Sequence, residues 1–177
     1  CLFVRFVSWN CQMAFRKKFK HLVPYHPDVI AVQECEKPSI IRKKSDFPGW
    51  NGVWVGDNPH KGVGVFSSYF WTVSLHPDYD DSFRYVVPVV AKKDGTRVHV
   101  VAVWAMNNKD DRKRRYIGEV YLALKKYGQI LSSDPPVVVA GDFNWNVQWD
   151  ADPTYSLYGN LTDVQESLES RGIKSLY

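Results

Sequence analysis

Three largely apolar runs of this chain each end abruptly in an amide or acidic side chain. The runs and the polar residues that follow them are Leu2–Trp9 with Asn10, Asp28–Gln33 with Glu34, and Val137–Ala140 with Gly141-Asp142-Phe143-Asn144. Short runs of this composition predict buried strands. In open α/β sheets ligands bind beyond the carboxyl ends of the strands, so the chain is expected to fold with polar groups at that edge.

The segment between the first two strands predicts how those strands pair. The basic stretch Ala14–Leu22 has a helical face, and Pro24 and Pro27 follow it. A strand, a helix and a second strand favour parallel pairing through a crossover. The ends of both strands then lie on the same edge, which predicts that Asn10 and Glu34 are neighbours.

The middle of the chain predicts an antiparallel meander. Five β-rich segments are separated by turn residues: Val53–Val55, Gly62–Phe66, Trp71–Leu75, Arg84–Ala91 and Arg97–Trp104. The tripeptide Lys93-Asp94-Gly95 between the last two is typical of a tight hairpin.

The last third predicts two helices around one strand. Apolar residues from Asp110 to Leu131 fall on one face of a long helix, which Pro135-Pro136 ends. A further helix is expected over Leu161–Ser170. The whole pattern predicts a mixed α/β fold in which two packed sheets have helices outside them.

Composition narrows the function only slightly. The 177 residues fit one domain, with a formal charge of +4 and 15% aromatic residues. The basic clusters suit a polyanion but are also typical of solvated faces, and the aromatic residues suit a sheet-rich core. Three cysteines without paired spacing favour a reducing, cytoplasmic location over a disulfide framework. No apolar run is long enough to span a membrane.

The residues at the predicted strand ends suit a hard cation. Mg²⁺ or Mn²⁺ takes oxygen ligands and needs one or two protein carboxylates together with substrate phosphate. Each of the three polar segments alone is also typical of a turn or a solvated strand end. Their joint placement at three strand ends favours a metal site.

The order of these motifs adds a resemblance. Trp9-Asn10, then Pro-Asp-Val-Ile-Ala-Val-Gln-Glu ending at Glu34, a meander, a long helix and the Gly-Asp-Phe-Asn motif after an apolar run resemble the endonuclease/exonuclease/phosphatase superfamily. That resemblance implies a four-layered α/β sandwich over residues 1–177 and hydrolysis of a phosphodiester, with DNA or RNA as the expected partner. It also implies that Asn10 and Glu34 bind Mg²⁺ or Mn²⁺, Glu34 being the principal ligand. Asp142 would orient or activate the attacking water, and Asn144 would contact the scissile phosphate.

The chain departs from the superfamily's pattern at two places. Where the superfamily commonly has a His or Tyr that donates to phosphate, this chain has Trp104. The Asp-His dipeptide near the superfamily's C-terminus is absent, so the domain is expected to be truncated there, with its last strands missing. His60 is the best of five weak histidine substitutes. A phosphomonoesterase, a phospholipid or inositol phosphatase, and an inactive binding module therefore stay open as alternatives.

Overall fold

The strands form two sheets, each with one parallel pair. A computed structural model describes residues 3–176 of the chain. Within that range the first sheet has the order β1-β2-β4-β3, from β1 (Phe6–Asn10), β2 (Val29–Cys35), β3 (Asn51–Asn58) and β4 (Lys61–Ser67). The second has the order β5-β6-β7-β8, from β5 (Thr72–Leu75), β6 (Val86–Lys93), β7 (Thr96–Trp104) and β8 (Val137–Asp142). The parallel pairs are β1 with β2 and β7 with β8, and the remaining pairs are antiparallel.

Alternation along the strands builds the core between the sheets. The residues of β7 that enter this core are Val98, Val100, Ala102 and Trp104. Val101 and Val103 point the other way, into the core between the second sheet and its helices. Successive side chains of a strand face opposite sides, so a strand that is apolar throughout is buried on both faces.

Helices cover the outer face of each sheet. The first sheet is covered by α1 (Phe15–Lys18), a 3₁₀ helix (Phe19–Tyr25) and α2 (Pro38–Lys44). The second is covered by α3 (Ile117–Lys126), α4 (Gly128–Leu131) and α5 (Leu161–Glu169), while short 3₁₀ turns lie at Asp81–Phe83, Arg112–Arg114 and Val147–Trp149. The order helices, sheet, sheet, helices is the expected four-layered α/β sandwich. No helix within residues 3–176 is long and apolar enough to cross a membrane.

Two helices differ from the expectation. The predicted helix Ala14–Leu22 is helical in the α sense only over four residues and continues as a 3₁₀ helix that contains Pro24, whose ring cannot donate a backbone hydrogen bond. The predicted long helix is broken: α3 ends at Lys126, Tyr127 leaves the helical conformation, and α4 follows.

Other boundaries are shifted or were missed. The first strand begins at Phe6, and Leu2 lies outside the described residues. The seven-residue helix α2 was not anticipated from the sequence, because it is short and begins at a proline. The hairpin prediction is confirmed: Asp94 and Gly95, with φ of 46° and 78°, join β6 to β7 directly.

Candidate active site

The carboxamide of Asn10 joins the carboxylates of two different sheets. Asn10 is the last residue of β1 and pairs with Gln33 in parallel register, which brings it beside Glu34. Its Nδ2 donates to Glu34 Oε1 at 3.2 Å and to Asp142 Oδ2 at 2.8 Å. The carboxyl ends of β1, β2 and β8 therefore meet at one place, as the parallel pairing predicted for Asn10 and Glu34.

A β-bulge directs Glu34 into this place. Gln33 pairs with Val63 and Cys35 pairs with Gly62, so Glu34 is an extra residue without a partner across the ladder. Its φ is 59°, a left-handed conformation that is uncommon for a non-glycine residue. Bulges re-aim side chains next to active sites. Here the bulge leaves the Glu34 side chain 19% exposed, at the end of an otherwise buried strand.

Asp142 is held by the tight approach of β8 to β7. Gly141 has a φ of 150°, and a Cβ atom there would lie 1.9 Å from the carbonyl oxygen of Val103. Only glycine therefore fits before Asp142 without a shift of the backbone. Asp142 Oδ1 accepts a hydrogen bond from the Asn144 backbone N–H at 2.9 Å. The Gly-Asp-Phe-Asn motif is thus both a close strand contact and a turn.

Asn144 lies at the edge of the group formed by Asn10, Glu34 and Asp142. Its φ of 48° is left-handed, which Asn tolerates better than most residues. Its Nδ2 donates to the carbonyl oxygen of Ala105 at 3.3 Å, while the residue as a whole is exposed. The structure therefore brings all four predicted residues to one edge: Asn10, Glu34, Asp142 and Asn144.

Sequence reasoning missed Lys61. This first residue of β4 has its Nζ 3.4 Å from Glu34 Oε2 and 5.2 Å from the ring centroid of Trp104. The only sequence signal was a basic residue directly before a predicted strand. His60 precedes it and is exposed, and its backbone N–H donates to Asn58 Oδ1 at 2.9 Å.

Trp104 forms the wall between Lys61 and the core. Its side chain is 3% exposed, and its ring packs edge-on against Tyr85 with centroids 4.9 Å apart. Trp104 pairs in register with Asp142, so it occupies the predicted position at the end of β7. Its indole face meets the Lys61 ammonium, an arrangement that stabilises a cation.

The two thiols beside the site are packing groups. Cys11 and Cys35 are buried in the core under the first sheet, and Cys1 lies outside the described residues. Burial, reinforced by Glu36, raises the pKa of Cys11 to about 12, and burial also raises the pKa of Cys35. Thiols this hard to ionise make poor nucleophiles and metal ligands, which agrees with the prediction of packing beneath the site.

The donor set fits a hard cation. The converging acceptors are the carboxylate oxygens of Glu34 and Asp142. Asn10 faces them through its donor Nδ2, while its Oδ1 accepts from the Gln12 backbone N–H at 3.0 Å. Residues 3–176 contain no cluster of three or more His, Cys, Asp or Glu side chains that could hold a metal. Mg²⁺ and Mn²⁺ suit such sparse oxygen sites, because substrate phosphate and water complete their coordination.

The chain matches a known protein family over most of its length. The sequence profile of the Endonuclease/Exonuclease/phosphatase family matches residues 7–163. The chain belongs to this family. The match contains all four converging residues, and the family's name covers enzymes that hydrolyse phosphoric esters. No curated protein matches the sequence.

Solved structures share the fold at low sequence identity. TDP2 from Caenorhabditis elegans superposes with a TM-score of 0.58 and 15% identity over 82% of this chain and 49% of that one. A 3'-5' exonuclease (NExo) from Neisseria meningitidis superposes with a TM-score of 0.56 and 22% identity, over 93% of this chain and 70% of that one. An AP endonuclease from Archaeoglobus fulgidus superposes with a TM-score of 0.57 and 17% identity, over 96% of this chain and 70% of that one. This family member therefore spans about half the length of the C. elegans protein.

Proposed function

We propose that this family member hydrolyses phosphodiester bonds in DNA or RNA with the help of Mg²⁺ or Mn²⁺. The observation that carries the proposal is the pair of hydrogen bonds from Asn10 Nδ2, which hold Glu34 and Asp142 together from two sheets. A structural turn has no need of a bridge between two carboxylates. A phosphate site with a hard cation needs this grouping.

Each converging residue has a proposed role. Glu34 is the principal ligand and Asn10 the second metal-site residue. Asp142 accepts the proton of the attacking water and orients that water toward phosphorus. Asn144 donates its side-chain N–H to a non-bridging phosphate oxygen. A bound divalent cation would neutralise charge on the phosphate and on the leaving oxygen.

Nucleic acid is the proposed partner. The solved structures that share the fold include TDP2 from Danio rerio in complex with a single-strand DNA product. The charge of +4 on this chain suits a polyanion. Its cytoplasmic location stays a prediction that rests on the cysteines alone.

An inactive binding module is the second candidate. Two observations favour it: Trp104 stands at the position of the superfamily's phosphate donor, and Lys61 Nζ already lies 3.4 Å from Glu34. An ammonium at this distance neutralises the carboxylate without any metal. A phosphomonoesterase or inositol phosphatase would use the same four residues, so only substrates distinguish it.

The test is metal-dependent cleavage with matched carboxylate variants. Wild type, Glu34→Gln and Asp46→Asn are assayed with single-stranded DNA, RNA and bis-p-nitrophenyl phosphate, with and without Mg²⁺. Asp46 is an exposed carboxylate that pairs with Lys20, whereas Glu34 pairs with Lys61, so the Asp46 variant is the control. We expect Glu34→Gln to lose more than about 100-fold in rate, because the neutral amide binds a cation poorly.

The alternatives give different results in the same assay. Equal activity of Glu34→Gln and wild type would remove Glu34 from the mechanism. Absence of turnover, together with metal-enhanced binding of oligonucleotides, would identify a binding module. Turnover of p-nitrophenyl phosphate or inositol phosphates alone would identify a phosphatase.

A further inference from the structure

A cluster of aromatic side chains follows the site directly along the chain. Trp145 is the residue after Asn144, and its ring contacts Trp149 and Tyr155 edge-on, with centroids 5.3 Å and 4.9 Å away. A cleft of about 120 Å³ is lined by these three rings together with Asp150, Asn160 and Asp163. Because Asp142 and Asn144 lie at the end of β8, the cluster begins at the same edge of the second sheet.

The rings are exposed although most aromatic residues of this chain lie in its cores. Trp149 is 45% exposed, Tyr155 37% and Tyr158 47%. We call these three side chains the aromatic platform. Large aromatic side chains are stabilised by burial and not by exposure to water. An exposed group of them therefore indicates a binding surface.

The platform is held rigidly by its own polar contacts. Trp145 Nε1 donates to Asp150 Oδ1 at 2.8 Å, which fixes the ring against which Trp149 packs. Tyr158 donates its hydroxyl to Asp111 Oδ2 at 3.1 Å. Rings fixed in place need little further ordering to bind a flat partner, which favours binding.

A basic turn borders the platform. The 3₁₀ turn Arg112–Arg114 continues into Arg115, whose guanidinium lies 5.2 Å from the ring centroid of Tyr155. The Tyr158 backbone N–H donates to the Lys113 carbonyl oxygen at 2.9 Å, which ties the platform to the turn. Arg115 Nε is buried without a hydrogen-bond partner among the described residues. Cations beside exposed rings match the phosphates and bases of nucleic acid.

The acidic groups of this region accept hydrogen bonds from groups within the protein: Asp111 accepts from Lys113 and Tyr158, and Asp163 accepts from the Asn160 backbone N–H. Asp150 accepts from Trp145, Leu161 and Thr162. Burial alone would raise the pKa of Asp150, but the hydrogen bonds, led by that from the Thr162 side chain, lower it below its usual value. Asp152 accepts from Thr154. Since these carboxylates face internal donors, they oppose a polyanion less than their number suggests.

We infer that the aromatic platform stacks on unpaired bases of a single-stranded nucleic acid whose phosphates lie along Arg112, Lys113 and Arg115. The inference rests on the proposed function, because it names the form of the substrate that enters the same site. Paired bases have their faces covered by neighbours in the duplex. Only an unpaired strand offers faces to rings such as those of Trp149 and Tyr155.

The test is equilibrium binding of oligothymidylate in EDTA, followed by fluorescence polarisation. The probes are the single strand, its duplex with oligoadenylate, and an abasic deoxyribose-phosphate oligomer of equal length. The variants are Trp149→Ala, Trp149→Phe and Phe70→Ala. Phe70 is the control, because it is 76% exposed with Lys93 Nζ 5.5 Å from its ring centroid, yet it follows the opposite end of β4 from Lys61.

We expect Trp149→Ala to weaken single-strand binding by about tenfold, the effect of losing one stacked base. Trp149→Phe should restore most of the loss, and Phe70→Ala should match wild type. Duplex and abasic oligomer should bind wild type more weakly and respond little to Trp149→Ala. Unchanged single-strand affinity in Trp149→Ala, or an equal loss with the abasic oligomer, would overturn the inference. Since no step requires turnover, these results are independent of whether Glu34→Gln affects hydrolysis.

Discussion

The Nδ2 of Asn10 and the Oδ2 of Asp142 lie 2.8 Å apart, although 132 residues separate them along the chain. Asn10 ends a strand of the first sheet and Asp142 ends a strand of the second. The hydrogen bond therefore reports how the two sheets are aligned. A small change in their packing would separate the carboxylates of Glu34 and Asp142.

Replacing Asn10 should weaken metal binding more than folding. In Asn10→Ala the two carboxylates lose their shared donor and repel one another. We expect the Mg²⁺ concentration at half-maximal activity to rise by about 10- to 100-fold. The measurement is a Mg²⁺ titration of bis-p-nitrophenyl phosphate hydrolysis, with the thermal midpoint as the folding control. An unchanged titration midpoint would show that Asn10 does not order the carboxylates.

Lys61 should contribute through its charge. It lies between Glu34 and the ring of Trp104, and its side chain is 36% exposed, so solvent has access to it. We expect Lys61→Met to lower kcat by about 100-fold, the effect of removing one donor that stabilises the charge of a transition state. Lys61→Arg keeps the charge and should retain more activity. If Lys61→Met is instead as active as wild type, the ion pair with Glu34 is only structural.

Gly141 should tolerate no side chain. A Cβ atom would lie 1.9 Å from Val103 O, at a φ of 150°. We expect Gly141→Ala to lower the free energy of unfolding by roughly 3 kcal/mol or more, from strain and collision together. Gly95→Ala is the matched control: its φ is also positive at 78°, but nothing lies within 4 Å of the added atom. That variant should cost about 1 kcal/mol. Urea unfolding compares the two, and equal losses would contradict the collision.

Acid should destabilise the protein through His99. Burial, followed by the neighbouring His76 and Arg97, lowers the pKa of His99 below its ordinary value of 6.5. The His76 ring lies 5.1 Å away, and Ser133 Oγ is 3.0 Å from Nδ1. The unfolded chain therefore binds a proton more readily than the folded one. Stability should be complete above about pH 6.5 and should fall as the pH drops through that value toward the lowered pKa.

The variant His99→Gln isolates this effect. Urea unfolding of wild type and variant at about pH 7.5 and about pH 5.5 gives the change in stability for each protein. Wild type should lose more between the two values. Carboxylates with lowered pKa values, such as Asp150, lose their contribution to stability at lower pH, and they do so equally in wild type and in the variant. An identical loss in the variant would assign the pH dependence to other groups.

Much of the site was predictable because strand ends are local features. The apolar runs before Asn10, Glu34 and Asp142 are each recognisable as a buried strand from their own residues. A helix between two strands in turn implies that the strands pair in parallel. The hairpin at Asp94-Gly95 was predictable for the same reason, because an Asp-Gly pair is itself typical of a tight hairpin turn. Short or broken helices were harder to predict from the sequence. The short helix α2 begins at a proline. The predicted long helix is interrupted at Tyr127, whose ring packs into the core behind the second sheet.

The strand positions, the family and the four polar residues at the strand ends follow from local patterns that are visible in the sequence alone. The contact between Lys61 and Glu34 arises only in the folded chain, because it depends on the antiparallel register of β4 against β2 and on the bulge between Gln33 and Cys35. A shift of one residue in that register would turn every side chain of β4 to the other face. The aromatic platform likewise exists only after folding, when Asp111 and Arg115 are brought against Tyr158 and Tyr155 from a distant part of the chain.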